Sequence, residues 1–190
     1  MSRTIVQTGN PVLRVTAKEI PLEDIGTPSL RKLIADMKTL LVKEKYGVAL
    51  AAPQVGESIQ LFVVSGKALV KRKKSAEKRS QDEAEDTEAE NEMPVEDQVY
   101  INPKLLKISR TKKKKHEGCL SVRGKWGMVA RAEKATIQAY DENGEKFTRG
   151  ASGLLAHIFQ HEMDHLEGIL YTDKAKELYD DESTEGNRQK

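Results

Sequence analysis

The stretch FQHEMDHLEG, from Phe159 to Gly168, decides the fold, and it holds two of the four histidines of the chain. His161 and His165 are separated by three residues, and Glu162 directly follows the first. Residues four apart on a helix lie one turn apart on the same face, so the two imidazoles can converge on one point. This H-E-x-x-H pattern is typical of a metal site, in which the histidines bind the ion and the glutamate handles protons. Taken alone, the short pattern also fits two plain surface histidines.

Apolar residues at helical spacing surround the two histidines. We expect the helix to begin near Ser152 and to end near Gly168. The predicted inward stripe consists of Leu154, Leu155, Ile158, Phe159, Met163 and Leu166. Because imidazoles that border a buried face need partners there, the stripe favours the metal site over the surface interpretation.

A third ligand is expected elsewhere in the chain, because a catalytic metal of this kind takes three protein ligands and leaves one position for water. Cys119 is the main candidate, since its thiolate is a soft ligand and the neighbouring Gly118 lets the backbone approach closely. An inert buried thiol is the commoner state of a single cysteine. His116 is a rival ligand, but it follows a run of lysines and is expected to be exposed.

The stretch GVALAAPQVG, from Gly47 to Gly56, consists mainly of small residues and predicts tight packing of the backbone. Gln54 is its one amide side chain, and it could offer an N–H group to an oxyanion. Such a run is more often a packing junction than a functional site, so it does not predict function by itself.

The remaining patterns predict an α+β fold. An amphipathic helix is expected between Thr27, as its N-cap, and Gly47, as its end. Short strands are expected at residues 59–65 and 99–101, and a type I′ hairpin is expected around Asn143 and Gly144. We therefore expect small antiparallel sheets packed around a central C-terminal helix that carries the H-E-x-x-H pattern, with one N-terminal amphipathic helix.

Composition and charge narrow the class of protein. The chain has 190 residues, 37% of them hydrophobic and 33% charged, and its formal net charge is +2. These values favour a soluble protein with no membrane contact and no specific nucleic-acid partner. The N-terminal residues lack the pattern of a secretory signal, and a single cysteine cannot form an internal disulfide, so we expect a cytoplasmic location.

The charge is unevenly distributed along the chain. Residues 67–80 carry seven basic residues against one acidic residue, and residues 81–97 carry nine acidic residues and no basic ones. We expect residues 67–98 to be a charged, disordered insertion within a single domain that spans residues 1–173. Residues 174–190 are expected to form a polar tail that frays.

Three motifs in this order, GVALAAPQ, EGCLS and QHEMDHLEG, resemble those of the peptide deformylases. The resemblance implies that Cys119, His161 and His165 bind the metal and that Glu162 is the general acid/base. It also implies that Gln54 and the backbone N–H of Leu120 donate to the oxyanion. The implied reaction removes the formyl group from the N-terminal formylmethionine of nascent polypeptides, and the implied metal is Fe(II), with zinc, nickel or cobalt as substitutes.

The resemblance further implies that Val48, Leu154 and His157 line the methionine pocket and that Ala49 lies on the backbone that lines the substrate. Ala49 replaces a usual glycine, and Trp126 replaces an arginine that holds the substrate backbone in bacterial members. These departures leave open a related metallohydrolase that acts on another N-acyl or peptide substrate. A non-catalytic module with a structural metal is a third hypothesis. A transient contact with the ribosome is expected, although not through a basic C-terminal helix, because the tail is weakly acidic.

Overall fold

Two antiparallel sheets and the helix that carries the H-E-x-x-H pattern form most of the computed structural model, which describes residues 3–69 and 95–180. The helices are α1 (Pro28–Lys43), α2 (Gly153–Leu166) and α3 (Tyr171–Lys174). The strands are β1 (Ala49–Ala51), β2 (Leu61–Val64), β3 (Gln98–Ile108), β4 (Lys112–Cys119), β5 (Val122–Ala132), β6 (Lys134–Tyr140), β7 (Lys146–Ser152) and β8 (Leu178–Asp180). Within the described residues, no helix is both long and apolar enough to cross a membrane.

The five-stranded sheet has the order β1-β2-β3-β6-β7, and the three-stranded sheet has the order β4-β5-β8. Phe159 of α2 packs on the larger sheet, where it meets the ring of Tyr100 edge-on at 5.2 Å between centroids. Tyr100 in turn stacks on Phe62 at 4.6 Å. Because this contact buries the apolar side of α2, the predicted α+β arrangement around a central C-terminal helix is confirmed.

Helix α1 begins where the sequence predicts. The Thr27 side chain accepts a hydrogen bond from the Leu30 N–H, and proline occupies the first turn. The predicted end at Gly47 is wrong, because the helix ends at Lys43. A Cβ at Gly47 would lie 2.9 Å from Cδ1 of Leu41, so this glycine serves close packing rather than helix termination.

The hairpin between β6 and β7 is confirmed, but its predicted type I′ turn is wrong. A type I′ turn needs positive φ at both central residues. Gly144 has a φ of +83°, whereas Asn143 does not have a positive φ. The Asp141 carboxylate accepts from the N–H groups of Asn143 and Glu145, and the Asp141 carbonyl accepts from Gly144 N–H. The result is a tight turn followed by a single left-handed glycine.

Strand β3 is much longer than the predicted strand at residues 99–101. Its first residues pair with β2, and its later residues pair with β6 after a register shift between Ile101 and Lys104. Asn102, at a φ of +47°, lies within that shift. The exposed second half of β3 lacks a buried face, which is why its sequence does not alternate clearly.

The boundaries predicted for the charged insertion and the tail are too wide. Ala68 and Leu69 are buried at 2% and 5% exposure, and Gln98 already begins β3. In the tail, residues 178–180 pair with β5 instead of fraying. The rest of the insertion, residues 70–94, and the tail residues 181–190 lie outside the described residues, so the disorder predicted there remains a prediction.

Candidate functional site

The three predicted metal ligands meet in one place. Cys119 ends β4, and His161 and His165 lie one turn apart on α2. One ligand atom from each of the three residues lies within 4.8 Å of the others. The Cys119 Sγ atom is 3.2 Å from Nε2 of His165. The strand therefore brings a thiol to the two imidazoles of the helix, although the cysteine is far from both histidines in the sequence.

This donor set fits a catalytic divalent cation. Burial alone would lower the pKa of His161, but hydrogen bonds with Cys119 and Glu117 raise it well above its ordinary value. Burial and the neighbouring His161 lower the pKa of His165 well below its ordinary value, so its ring is neutral and can bind a cation. Among the described residues, no fourth histidine, cysteine or carboxylate joins the group, and the exposed rival His116 lies outside it. Three ligands leave a coordination position for water, whereas a structural site uses four.

Glu162 lines the cavity beside this cluster and is only 3% exposed. Its Oε2 atom is buried and accepts no hydrogen bond from the described residues. Burial raises the pKa of Glu162 to about 7. A carboxyl group in this state can take up and release a proton near neutral pH, which is the property that general acid/base catalysis requires.

Gln54 follows the short strand β1, and its side chain is held at both ends. Its Oε1 atom accepts from Ala51 N–H at 2.9 Å, so the orientation of the amide is fixed. Its Nε2 donates to Cys119 Sγ at 3.3 Å and to Ser121 Oγ at 3.2 Å. Leu120 directly follows Cys119 and lines the same cavity. The predicted pair of donors therefore lies beside the ligand cluster.

A cavity of about 420 Å³ opens at the cluster, and its lining includes all four residues predicted for the substrate pocket, Val48, Ala49, Leu154 and His157. The predicted inward position of Leu154 is wrong, because Leu154 is 40% exposed at the start of α2. His157 is only 7% exposed, and its Nε2 lies 3.3 Å from Glu117 Oε1. Burial lowers the pKa of His157 to about 4, so its imidazole is neutral at pH 7.

Trp126 forms another part of the cavity wall. Its side chain is 38% exposed and lies over Gly118. A Cβ at Gly118 would come within 2.8 Å of the indole ring, so only glycine allows this contact. The indole therefore covers the backbone next to Cys119, the predicted third ligand.

A buried ion network behind the cluster was missed in the sequence. Glu117 accepts hydrogen bonds from Nε and Nη2 of Arg131 at 2.7 and 2.9 Å. Its Oε2 lies 3.1 Å from Nδ1 of His161. Burial alone would raise the pKa of Glu117, but the hydrogen bonds from Arg131 and His161 lower it to about 2. Glu117 is thus a carboxylate that can accept the Nδ1 proton of His161, and an imidazole held in this tautomer would present its Nε2 to a cation.

Asp164 extends this network. Its Oδ2 accepts from Arg131 Nη1 at 2.6 Å, and its Oδ1 accepts from Lys174 Nζ at 2.5 Å. Glu117 and Asp164 are close to the ligands in sequence, but acidic residues are common in this chain. The available signal was weak, because the partner Arg131 is brought close only by the pairing of β4 with β5.

Comparisons with known proteins agree with this geometry. A sequence model of the family described as polypeptide deformylase matches residues 2–181. The peptide deformylase of Christiangramia forsetii is 38% identical over 92% of this chain and 82% of the relative. The chloroplastic peptide deformylase 1A of Solanum lycopersicum is 38% identical over 90% of this chain, which spans 58% of that relative. The crystal structure of the Thermotoga maritima peptide deformylase has a TM-score of 0.72 at 28% identity, covering 93% of this chain and 99% of that one.

Proposed function

Because the chain belongs to the polypeptide deformylase family, a group of metal-dependent amide hydrolases, we propose that its cavity removes the N-formyl group from newly made polypeptides and releases formate. The observation that carries this proposal is the convergence of Cys119 with the H-E-x-x-H helix beside a buried glutamate. The family membership favours this reaction over another N-acyl or peptide hydrolase, and the three-ligand cluster speaks against a closed structural metal.

Cys119, His161 and His165 are the proposed ligands of one divalent cation. One thiolate and two imidazoles are donors that iron, zinc, nickel and cobalt all accept. Fe(II) is our proposal for the natural metal, on the basis of family likeness. When bound, such a cation lowers the pKa of a coordinated water toward about 7 and polarises a carbonyl oxygen.

Glu162 is the proposed general acid/base. It accepts a proton from the attacking water, and it later delivers this proton to the nitrogen of the leaving amine. A neutral amine leaves far more easily than an amide anion, so the same carboxyl group must act twice. Its pKa of about 7 supports both roles, because the group gains and loses a proton with similar ease at neutral pH.

Gln54 and the backbone N–H of Leu120 are the proposed donors to the oxyanion that forms on the formyl oxygen. The hydrogen bond from Ala51 to Gln54 Oε1 fixes the amide before substrate arrives. Such preorganisation makes a donor effective, because little reorganisation is needed during the reaction.

Val48, Leu154 and His157 are proposed to surround the methionine side chain of the substrate, and Ala49 is proposed to line the substrate backbone. Their support is that all four line the cavity at the ligand cluster. A neutral His157 adds a polar wall without adding charge, which suits an uncharged thioether.

Nascent formylated polypeptides are the proposed partners, and a transient contact with the ribosome is part of the same proposal. We also propose a cytoplasmic location. Its support is chemical, because a reducing compartment keeps a single cysteine available as a thiolate ligand.

The proposal is tested by Glu162→Gln. We expect the turnover of formyl-Met-Ala-Ser to fall by about 10²–10⁴-fold, because proton transfer is lost. The bound metal should remain, since Glu162 is not a ligand. The matched control is Glu167→Gln, at the exposed end of the same helix, which should keep full turnover.

Formate release and metal content are measured on the same samples. Undiminished turnover by the Glu162 variant would refute the assigned role. Equally fast cleavage of acetyl-Met or unblocked peptides by the unchanged protein would instead favour the other hydrolase.

A further inference from the structure

An unbroken chain of ion pairs connects the surface with the proposed metal centre. It begins at Lys174 Nζ, which lies 2.5 Å from Asp164 Oδ1. It continues through Arg131, which bonds both Asp164 and Glu117. It ends at His161, whose Nδ1 faces Glu117 Oε2. The chain thus links four elements, α3, α2, β5 and β4.

The members of this chain differ in burial. The side chains of Arg131, Glu117 and Asp164 are 4%, 6% and 9% exposed, whereas that of Lys174 is 40% exposed. The three buried groups carry one positive and two negative charges. Lys174 therefore supplies Asp164 with a second positive charge beside that of Arg131, and it does so from the surface.

We propose that Lys174 is a positioning residue for the metal centre, acting through Asp164 and Arg131 on the carboxylate that orients His161. The inference rests on the proposed function only in that the cluster of Cys119, His161 and His165 binds a cation. It concerns a residue that the sequence places at the start of the polar tail.

The physical reason is the sharing of one guanidinium between two carboxylates. If Lys174 loses its charge, the buried Asp164 keeps Arg131 as its only cationic partner among the described residues. An unbalanced buried carboxylate is costly, so it draws the guanidinium toward itself. The guanidinium then moves away from Glu117, and the hydrogen bond that fixes the ring and the tautomer of His161 loosens. Outer partners of this kind tune metal affinity.

The direction in which metal affinity changes when Lys174 is neutralised distinguishes this positioning role from a direct electrostatic effect on the cation. A lysine ammonium repels a nearby cation, so removal of its charge by itself would tighten metal binding. Loss of positioning would weaken it. A weaker affinity in the variant can therefore come only from the chain of contacts, or from general loosening of α3.

The test is a titration with Co²⁺ and Zn²⁺ in competition with a chelator, followed by the visible absorption of the cobalt complex. We expect Lys174→Met to raise the dissociation constant about fivefold, less than loss of a direct outer partner, which costs about 10- to 100-fold. Lys174→Gln should raise the dissociation constant to a similar extent. Lys174→Arg should keep the dissociation constant within about twofold of that of the original chain, because the positive charge is kept.

Arg14→Met is the matched control. Arg14 pairs with Asp173 of the same helix at similar exposure, but it lies outside the ion-pair chain. Melting temperatures of both variants report their effect on stability. We expect Arg14→Met to lower the melting temperature about as much as Lys174→Met does, and to leave the metal affinity unchanged.

Two results would overturn the proposal. One is an unchanged or tighter affinity in Lys174→Met, and the other is an equal loss in Arg14→Met, which would reduce the effect to anchoring of α3. The metal titration does not depend on catalytic turnover. If the original chain binds cobalt but releases no formate, the proposed function fails while this test still decides the role of Lys174.

Discussion

The two sheets of this protein differ in the charge that they bury. The five-stranded sheet buries rings and aliphatic groups, such as Phe62, Tyr100 and Ile137, which have no exposed surface. The three-stranded sheet buries aliphatic groups as well, but it also buries the ion pair of Glu117 and Arg131, both of which contact α2. Helix α2 lies between them, so its apolar side holds the fold together and its polar side carries the chemistry.

This difference separates stability from function. Burial of apolar surface is the dominant favourable contribution to folding. A buried ion pair is weak evidence for stability, because the cost of removing the charges from water offsets their attraction. We therefore expect substitutions of apolar groups in the larger sheet to change the free energy of unfolding, and substitutions of the buried charges in the smaller sheet to change metal binding and turnover.

The largest effect is expected in the larger sheet. Phe62→Ala should lower the free energy of unfolding by about 3–5 kcal/mol, because it leaves a cavity under Tyr100. Metal affinity of the folded fraction should stay within about twofold, as expected for a residue without contacts to the ligands. Denaturant unfolding and cobalt titration measure the two quantities. Phe147→Ala, which removes a half-buried ring, is the control and should lower the free energy of unfolding by less. A large loss of metal affinity in folded Phe62→Ala would contradict the claim that the apolar core of the larger sheet affects stability but not metal binding.

The second-largest effect is expected at Gln54, the proposed oxyanion donor beside the ligand cluster. Gln54→Ala should lower kcat by about 10²–10³-fold, because one oxyanion donor is lost. Steady-state formate release measures it. Gln138→Ala, which removes an amide of the larger sheet, should leave kcat unchanged. An effect of Gln54→Ala on KM alone would show that Gln54 binds substrate without stabilising the transition state.

A smaller effect is expected behind the cluster. Glu117→Gln should weaken metal binding by about 10- to 100-fold, because the carboxylate that orients His161 is lost. Competition with a chelator measures the dissociation constant. Glu133→Gln is the control, since Glu133 directly follows β5 and forms a surface ion pair with Lys113 of β4. Equal affinities in the two variants would mean that the buried charge serves folding alone.

The smallest effect is expected far from both regions. Thr27→Ala should lower the free energy of unfolding by about 1 kcal/mol, because the N-cap of α1 is lost. Turnover and metal affinity should not change. Thr39→Ala, in the exposed interior of the same helix, should be neutral or slightly stabilising, since alanine is the better helix former. A loss of turnover in folded Thr27→Ala would show that α1 is coupled to the site.

The parts of the fold that depend on local signals could be predicted from the sequence. Thr27 followed by proline marks the start of α1, and the spacing of His161 and His165 places both on one face of α2. The need for a third ligand singled out Cys119, the resemblance of three short motifs agreed, and the structure brings Cys119 to the histidines.

The parts that depend on distant pairing could not be predicted. Arg131 reaches Glu117 and Asp164 only because β5 pairs with β4 and lies against α2. The tail strand at residues 178–180 is stabilised by its pairing with β5, while its own side chains are exposed. Composition alone therefore suggested a frayed tail. In each case the missing information was the pairing or packing of elements that are distant in the sequence, which a single sequence does not contain.

The central claim is that one thiolate and two imidazoles hold a single cation. Titration of the original chain and of Cys119→Ser with Co²⁺ tests it most directly, because a cobalt–thiolate bond absorbs strongly in the near ultraviolet. We predict binding of a single ion with this absorption in the original chain, and loss of the absorption with much weaker binding in the variant. Absence of the absorption in the original chain, or equal spectra and affinities for the two proteins, would contradict the account.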